Sequence, residues 1–504
     1  MLKATNNVVT NANLSISTNG GSLTFWADSD ASKSGRVTLG TTNTVNSNGG
    51  TLTLAGGLDD GGSTLESGRT AGDGLPDGMA WGNGSAAFDI NIKGIGLSYA
   101  TSLSSGAGNI FIAGHSIDSG NVSGASAVAI NPSVSIAATT GTIHIYGIVN
   151  TIGPTGNNMG FSAGIELAGV YNTTTPVTIK NNSTASDAIV LRGDASASGA
   201  QPAPGIASIS WCDASGGGPR NIIANTSTGG ITLTGRSGTL PNGVTTDLVG
   251  DGIELNGTAV LSKSGKITFY GDTSASNSGN AYGFSYNHTT YLGANSYVGC
   301  ATNKYYAAAS YIGAYATTIN SVDMTSSSAD VEFYVDSFLV NAASYTTTLS
   351  TSGNIKVSPA SNAVGIQNFD RSVDFTGLTF GSSIGSATFG YAGTSGANQT
   401  TTALTIPTMS IVGPIAAYGG TVTVTGNLTT TGSGNAILCK ATGDVVASGG
   451  TSSVARNLQT NAGAITLWSD ADGSGAGAIN LNDYTGLYSA AGATDMVTAG
   501  GQIT

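Results

Sequence analysis

Thr142-Ile143-His144-Ile145-Tyr146-Gly147, Gly164-Ile165-Glu166-Leu167-Ala168-Gly169, Ala188-Ile189-Val190-Leu191-Arg192-Gly193, Gly230-Ile231-Thr232-Leu233-Thr234-Gly235 and Gly252-Ile253-Glu254-Leu255-Asn256-Gly257 are five versions of one phrase. Each sets two apolar residues in alternation and closes on glycine. With a fainter copy at Ile209, the first apolar residues follow one another at intervals of 22, 24, 20, 22 and 22 residues. Alternation with period two is the pattern of a half-buried strand, whose successive side chains point to opposite faces. One short strand per repeat cannot close a core by itself, so the repeats must stack on one another. The segments around Ile143, Ile165, Ile189, Ile209, Ile231 and Ile253 are therefore expected to form parallel ladders in consecutive coils. Antiparallel hairpins are the competing arrangement, because turn residues are dense.

Outward from this stretch the same grammar continues at Leu23-Thr24-Phe25, Leu52-Thr53-Leu54, Ile90-Asn91-Ile92, Ile110-Phe111-Ile112, Ile355-Lys356-Val357, Val422-Thr423-Val424 and Ile465-Thr466-Leu467. Secondary strands at Val177-Thr178-Ile179 and Lys266-Ile267-Thr268-Phe269 give each coil two or more faces, with Gly and Asn supplying positive-φ corners. The expectation is an all-β fold, one continuous β-solenoid over residues 1–504 with loops of variable length. Roughly 20 coils at about 4.8 Å each would make a rod on the order of 100 Å. Ile, Leu and Val would stack inside, with Thr, Ser and Asn outside. Residues 282–315 depart from this texture, with Tyr282, Tyr286, Tyr291, Tyr297, Tyr305, Tyr306, Tyr311 and Tyr315. They read as an insertion or an aromatic-lined face, packed between coils or presented to sugar rings and partners.

Composition narrows the function. The chain has 76 Gly among 504 residues, 9% charged residues and 39% hydrophobic ones, which fits neither a charged disordered tail nor an average enzyme. A formal net charge of −12 without a basic stripe excludes a nucleic-acid surface. No apolar run approaches the roughly 18–20 residues of a membrane helix, so direct membrane insertion is not expected. Cys212, Cys300 and Cys439 are too scattered for a disulfide framework or a metal motif. The first residues lack the pattern of a secretory signal, which is expected upstream.

A longer repeat is also present. Gly20-Gly21-Ser22-Leu23-Thr24-Phe25-Trp26-Ala27-Asp28-Ser29-Asp30 returns as Ala462-Gly463-Ala464-Ile465-Thr466-Leu467-Trp468-Ser469-Asp470-Ala471-Asp472, an offset of 442 between Trp26 and Trp468. After the first copy comes Gly49-Gly50-Thr51-Leu52-Thr53-Leu54, and Gly500-Gly501-Gln502-Ile503-Thr504 reads as its counterpart after the second. The two Trp motifs are expected to share a local structure, each Trp directly after its strand. The parent polypeptide is expected to continue in both directions, flanking repeats being the first partners.

These motifs, with Gly49–Gly57, Asp73-Gly74-Leu75-Pro76-Asp77-Gly78 and Ile437-Leu438-Cys439-Lys440-Ala441-Thr442-Gly443-Asp444, resemble the repeat regions of filamentous-haemagglutinin-like giant bacterial adhesins along essentially the whole chain. The resemblance implies a right-handed parallel β-helix fibre, export through a dedicated outer-membrane transporter, an extracellular place on the bacterial cell surface, and attachment to glycans, cells or like fibres. The chain departs from the family in lacking its amino-terminal secretion domain, of whose Asn-Pro-Asn motifs Asn131-Pro132-Ser133 is only an echo.

Chemistry is sparse. Gly160-Phe161-Ser162-Ala163-Gly164 and Gly381-Ser382-Ser383-Ile384-Gly385 match G-x-S-x-G, but about one match arises by chance in so Gly- and Ser-rich a chain, and neither precedes a helix. His115, His144 and His288 lack metal-ligand spacing, and His144, between Ile143 and Ile145, should point outward. Asp28, Asp30, Asp73, Asp77, Asp470 and Asp472 are candidates for calcium, with Asp59-Asp60 a further acidic pair; the alternative is that they cap turns. Asp470-Ala471-Asp472-Gly473 opens like an EF-hand loop but has Leu481 where the bidentate Glu belongs. The expectation is a structural, adhesive fibre segment that is not an enzyme and has no cofactor unless calcium binds. A self-assembling sheath or surface-layer filament, and a secreted polysaccharide lyase or hydrolase on the same fold, are the alternatives.

Overall fold

The computed structural model describes residues 1–61, 70–84, 93–118, 126–151, 162–168, 176–196, 205–208, 221–238, 251–263, 265–272, 284–287, 290–293, 296–300, 305–307, 310–313, 318–319, 322–323, 330–334, 338–340, 347–359, 368–369, 372–393, 399–448 and 450–498. Every regular element among them is a strand and none is a helix. The chain divides into two compact units, Met1–Tyr291 with Ala316–Met324, and Leu292–Tyr315 with Thr325–Thr504.

In the first unit the strands form three parallel ladders. The first holds Ile110–Asp118, Ile143–Thr151, Ile189–Asp194, Ile231–Arg236 and Ile267–Asp272, with Ile110, Ile143, Ile189, Ile231 and Ile267 in one register column. The second aligns Ile95, Val128, Ile165, Ile206 and Ile253. The third aligns Leu103, Ile136, Ile179, Ile223 and Val260. All of these side chains are buried. Each Ile, Leu or Val so sealed stabilises the stack by about 1.5–3 kcal/mol relative to exposure. The chain visits the second, third and first ladders in turn and returns one rung further on, so it coils.

The pairing is parallel, as expected, but the assignment of these segments to consecutive coils is corrected. Ile143, Ile189 and Ile231 belong to the first ladder, whereas Ile165 and Ile253 belong to the second. Ile209, like Ile90–Ile92, lies outside the described residues, and the rung near it is Ile206–Ser208. An interval near 22 is thus about half a circuit: Ile143 pairs with Ile189, 46 residues on, and Ile189 with Ile231, 42 residues on. Glycine explains why two ladders carry one phrase. A Cβ on Gly193 would run into the carbonyl oxygen of Gly205, and one on Gly147 into that of Gly164. The glycine closing a first-ladder strand meets the glycine opening a second-ladder strand, so both strands need the same punctuation.

The second unit repeats the scheme with shorter circuits. Ile355, Ala387, Ile415, Ile437 and Ile465 form its first column; Leu404, Val422, Val445 and Ile479 its second; Met409, Leu428, Leu458 and Leu487 its third. Among the described residues, 22 residues make a full circuit from Ile415 to Ile437. The longer coils reduce their number: the first ladder has eight rungs in each unit among the described residues, against the roughly 20 coils expected.

The described strands within residues 282–315 are rungs of the ladders rather than an insertion. Leu255 pairs with Tyr286, Tyr297 with Glu332, Tyr305 with Phe338, Tyr306 with Leu339 and Tyr311 with Thr348, so their strands are ordinary rungs. The interruption lies elsewhere. Strand Ile110–Asp118 pairs with both Leu52–Gly56 and Ala80–Gly84, and the described residues 57–61 and 70–79 lie off the rung between them.

The corner before the third ladder has a fixed shape. Asn13, Thr42, Ala100 and Ser133, each two residues before its strand, have φ of 60, 56, 56 and 62°. The left-handed region costs a residue with a side chain about 1–2 kcal/mol. Hydrogen bonds between rungs hold it there, from Asn13 N to Thr41 O, Thr42 N to Tyr99 O and Ala100 N to Pro132 O, at 2.9, 2.9 and 3.1 Å. At three of these four corners the left-handed residue itself is neither Gly nor Asn.

At an offset of 442 the repeat holds strand by strand. Leu23–Ala27, Val37–Leu39 and Leu52–Gly56 correspond to Ile465–Ser469, Ile479–Leu481 and Thr494–Thr498, and the Thr42 corner to Tyr484 with φ of 62°. Thr494, not Ile503, therefore occupies the place of Leu52. Trp26 and Trp468 are the fourth residues of their strands rather than the residues after them.

Candidate functional site

Residues 57–61 and 70–79, where the chain leaves a rung, bring together three carboxylates. Oxygens of Asp59, Asp73 and Asp77 all lie within 4.8 Å of one another. Asp73 and Asp77 are among the sequence candidates for calcium, and the fold brings beside them Asp59 of the further acidic pair Asp59-Asp60. Asp59 accepts hydrogen bonds from the amides of Gly72 at 2.6 Å, Asp73 at 3.2 Å and Gly74 at 2.8 Å. Asp73 accepts one from Leu75 N at 2.8 Å, and buried Asp77 one from Gly61 N at 2.6 Å. Gly72 and Gly74, both at positive φ, turn the backbone so that its amides converge on Asp59. Three hard oxygens suit calcium chemically, but that ion takes about 6–8 oxygen ligands, so most would have to be carbonyls or water. The hydrogen bonds observed are those of a carboxylate-capped loop.

The acidic pairs after the two Trp strands are separate turns. Asp28 is buried at φ 49° and accepts from Ser32 Oγ at 2.9 Å and from the amides of Lys33 and Ser34, both at 3.2 Å. Burial pushes its carboxyl above the ordinary value, against the pull of those hydrogen bonds. Asp470, buried at φ 53°, accepts from Ser474 Oγ at 3.1 Å and Gly475 N at 3.0 Å. Asp30 and Asp472 accept from the amides two residues on, Ser32 at 3.3 Å and Ser474 at 3.2 Å. Leu481, at the position of the missing EF-hand Glu, lies in a ladder strand.

Of the eight tyrosines, Tyr282 and Tyr315 lie outside the described residues. The other six are on strands, with side chains outside the described set. Ser162 is buried, and Ser383 donates to the Thr351 carbonyl at 3.2 Å. His144 does face outward, its Nε2 3.0 Å from the Asp187 carbonyl and 3.5 Å from its carboxylate. His288 and Cys212 lie outside the described residues. Cys439 is sealed in the first ladder, and burial pushes its thiol up to about 12, which leaves it inert.

Sequence reasoning missed two charged groups. Asp194, Arg236 and Asp272 are register partners on three consecutive rungs, each directly after the closing glycine. Arg236 Nε donates to Asp272 at 3.2 Å, and its Nη1 lies 3.6 Å from Asp194. The hydrogen bond to Asp272 is foremost in holding the guanidinium above its ordinary value. On the second ladder Glu166 accepts from Ser126 Oγ at 2.5 Å and lies 3.9 Å from Lys93. Gly193-Asp194, Gly235-Arg236 and Gly271-Asp272 were the signal for the first group, readable only once the coil is known to be about 40 residues long. No family model, curated protein or solved structure matches this chain.

Proposed function

We propose that the chain is a fibre segment of a large exported bacterial surface protein of the filamentous-haemagglutinin-like kind, acting as spacer and contact surface. The observation that carries this reading is the correspondence of whole rungs across 442 residues. An array that reuses a complete coil gains length without a new core, because each rung contacts only its neighbours. A right-handed elongated solenoid is part of the proposal, since parallel crossovers take that hand in nearly every protein. The extracellular location and the glycan or cell-surface partners follow from the resemblance set out above. The Asp59, Asp73 and Asp77 group is assigned to loop capping.

Adhesion tests the contact-surface half. Beads carrying the chain should be retained on cells or immobilised glycans, and soluble chain should compete. Retention no greater than that of uncoated beads across cells and a broad glycan panel would remove this half. Release of sugar products that is lost in Asp194→Asn would move the chain to the polysaccharide-cleaving class instead.

A further inference from the structure

One rung of the first ladder is made of two pieces. Strand Ile110–Asp118 is continuous, but on one side its first half pairs with Leu52–Gly56 and its second half with Ala80–Gly84. The second piece can leave without the first: residues 52–54 keep their pairing to 110–112, and residues 114–118 keep theirs to 147–151. Gly35 also holds that piece, its N–H donating to Trp81 O at 3.1 Å and its carbonyl accepting from Trp81 N at 2.7 Å. His115 is the register partner of Trp81, and its ring stacks on the indole with centroids 3.7 Å apart. It is 8% exposed, and among the described residues its buried Nε2 has no hydrogen-bond partner.

A neutral imidazole occupies this place at the cost of one unsatisfied nitrogen, whereas an imidazolium would bring a charge out of water with no acceptor for its Nε2–H. An indole face attracts a cation, but the Lys33 ammonium already lies 5.5 Å from the Trp81 ring centroid, so a second positive charge meets the first. Charged groups in the elements around His115 are Asp28, Asp30 and Lys33 in one turn, Arg36 after it, Asp77 before Trp81, Lys93 before the second-ladder strand, and Asp118 on its own strand. Of these, Lys33 is the one whose charge acts on the ring. We propose that Trp81 and His115 form an acid-sensitive latch: when His115 takes a proton, Ala80–Gly84 lets go of residues 114–118 while the pairings on either side stay closed. Opening returns the ring to water, so the open form binds the proton that the closed form refuses, and acid favours opening. With a pKa of about 4 when closed against 6.5 in water, the ratio of open to closed form rises on the order of 50-fold between pH 7 and pH 4.5. The latch does not depend on the fibre reading.

Hydrogen–deuterium exchange on the whole chain, corrected at each pH for the exchange rate of unstructured amides, decides it. From pH 7 to pH 4.5 the opening constants in Ala80–Gly84 should rise about 50-fold in the wild type, while those of Leu52–Gly56 and Ile189–Asp194 stay near their values at pH 7. His115→Phe keeps a ring against Trp81 and cannot titrate, so its constants in Ala80–Gly84 should stay flat. Lys33→Met removes the neighbouring cation and should open less than the wild type at pH 4.5; it carries the test alone if the Phe variant does not fold. A rise as large in either variant as in the wild type would overturn the latch, and so would a rise shared equally by all the ladder strands. Amides in Ala80–Gly84 that exchange freely at pH 7 would overturn it too, because the piece would then be open without acid.

Discussion

Lys440 and Trp468 are register partners on adjacent rungs, and the ammonium of one lies 4.2 Å from the ring centroid of the other. Lys3 and Trp26 repeat the arrangement at 3.5 Å. A cation over an indole at a part-exposed site contributes about 0.5–1 kcal/mol. Lys440→Met keeps the aliphatic stem and deletes the charge, so it should lower unfolding stability by about that much. In a Trp468→Leu background the same change should cost almost nothing. Urea titrations of the four proteins give the coupling energy, and a value of zero would reduce the pair to coincidence of packing.

Gly193→Ala probes the corner between the first and second ladders. The new methyl would collide with the Gly205 carbonyl, which belongs to backbone and cannot rotate away. The expected loss exceeds about 3 kcal/mol, in the range of severe overpacking. A denaturation midpoint close to wild type would mean that the two ladders can separate at this corner without penalty.

The strand phrase was readable because it rests on local physics: alternation fixes which side chains enter the core, and glycine marks close backbone approach. The circuit was not, because Gly193 and Gly205 serve one contact from two strands and so print the same letters twice per coil. Arg236 between Asp194 and Asp272 was hidden for the same reason, its partners lying 42 and 36 residues away. Asp59 joins Asp73 and Asp77 only through a loop that leaves a rung and returns to it, a path that no periodicity announces.

Removing Asp59 should open that loop. Its carboxylate collects three backbone amides of exposed residues, which water takes over in Asp59→Ala, so the loss is the net worth of those hydrogen bonds, about 0.5–1.5 kcal/mol each at most, and falls mainly on this loop. Limited proteolysis should cut the variant within the loop faster than the wild type. Chelation with EDTA should leave the wild type's melting temperature unchanged. A melting temperature that falls with EDTA and recovers with calcium would show that the three carboxylates hold an ion.

Ala100 occupies a left-handed corner at φ 56°. Ala100→Gly should stabilise the fold by about 0.5–1 kcal/mol, because glycine adopts that conformation without the Cβ clash. Ala100→Val should destabilise it. The pair of denaturation midpoints checks the sign, and a lower midpoint for the glycine variant would contradict the strain.

His115 should make the stability of the first unit depend on pH. Its ring stacks on Trp81, with centroids 3.7 Å apart and planes 16° from parallel, and the side chain is buried. Burial first, and the Lys33 charge second, lower its pKa from 6.5 to about 4. In the unfolded chain the ring takes a proton near its ordinary value; in the folded chain it does so only near 4. Between the two the unfolded state binds more protons, so stability rises with pH through that window and falls on acidification. The full effect is on the order of 3 kcal/mol, flat above the window and flat again below it. Asp28 acts in the opposite sense: its raised carboxyl pKa lets the folded state bind the extra proton, which softens the loss at the acid end. His115→Phe keeps an aromatic ring for Trp81 and cannot titrate. Between pH 7 and pH 4.5 the wild-type melting temperature should therefore drop more steeply than the variant's. Parallel slopes for the two proteins would show that His115 takes up its proton at the ordinary pH and that the Trp81 stack does not exclude it.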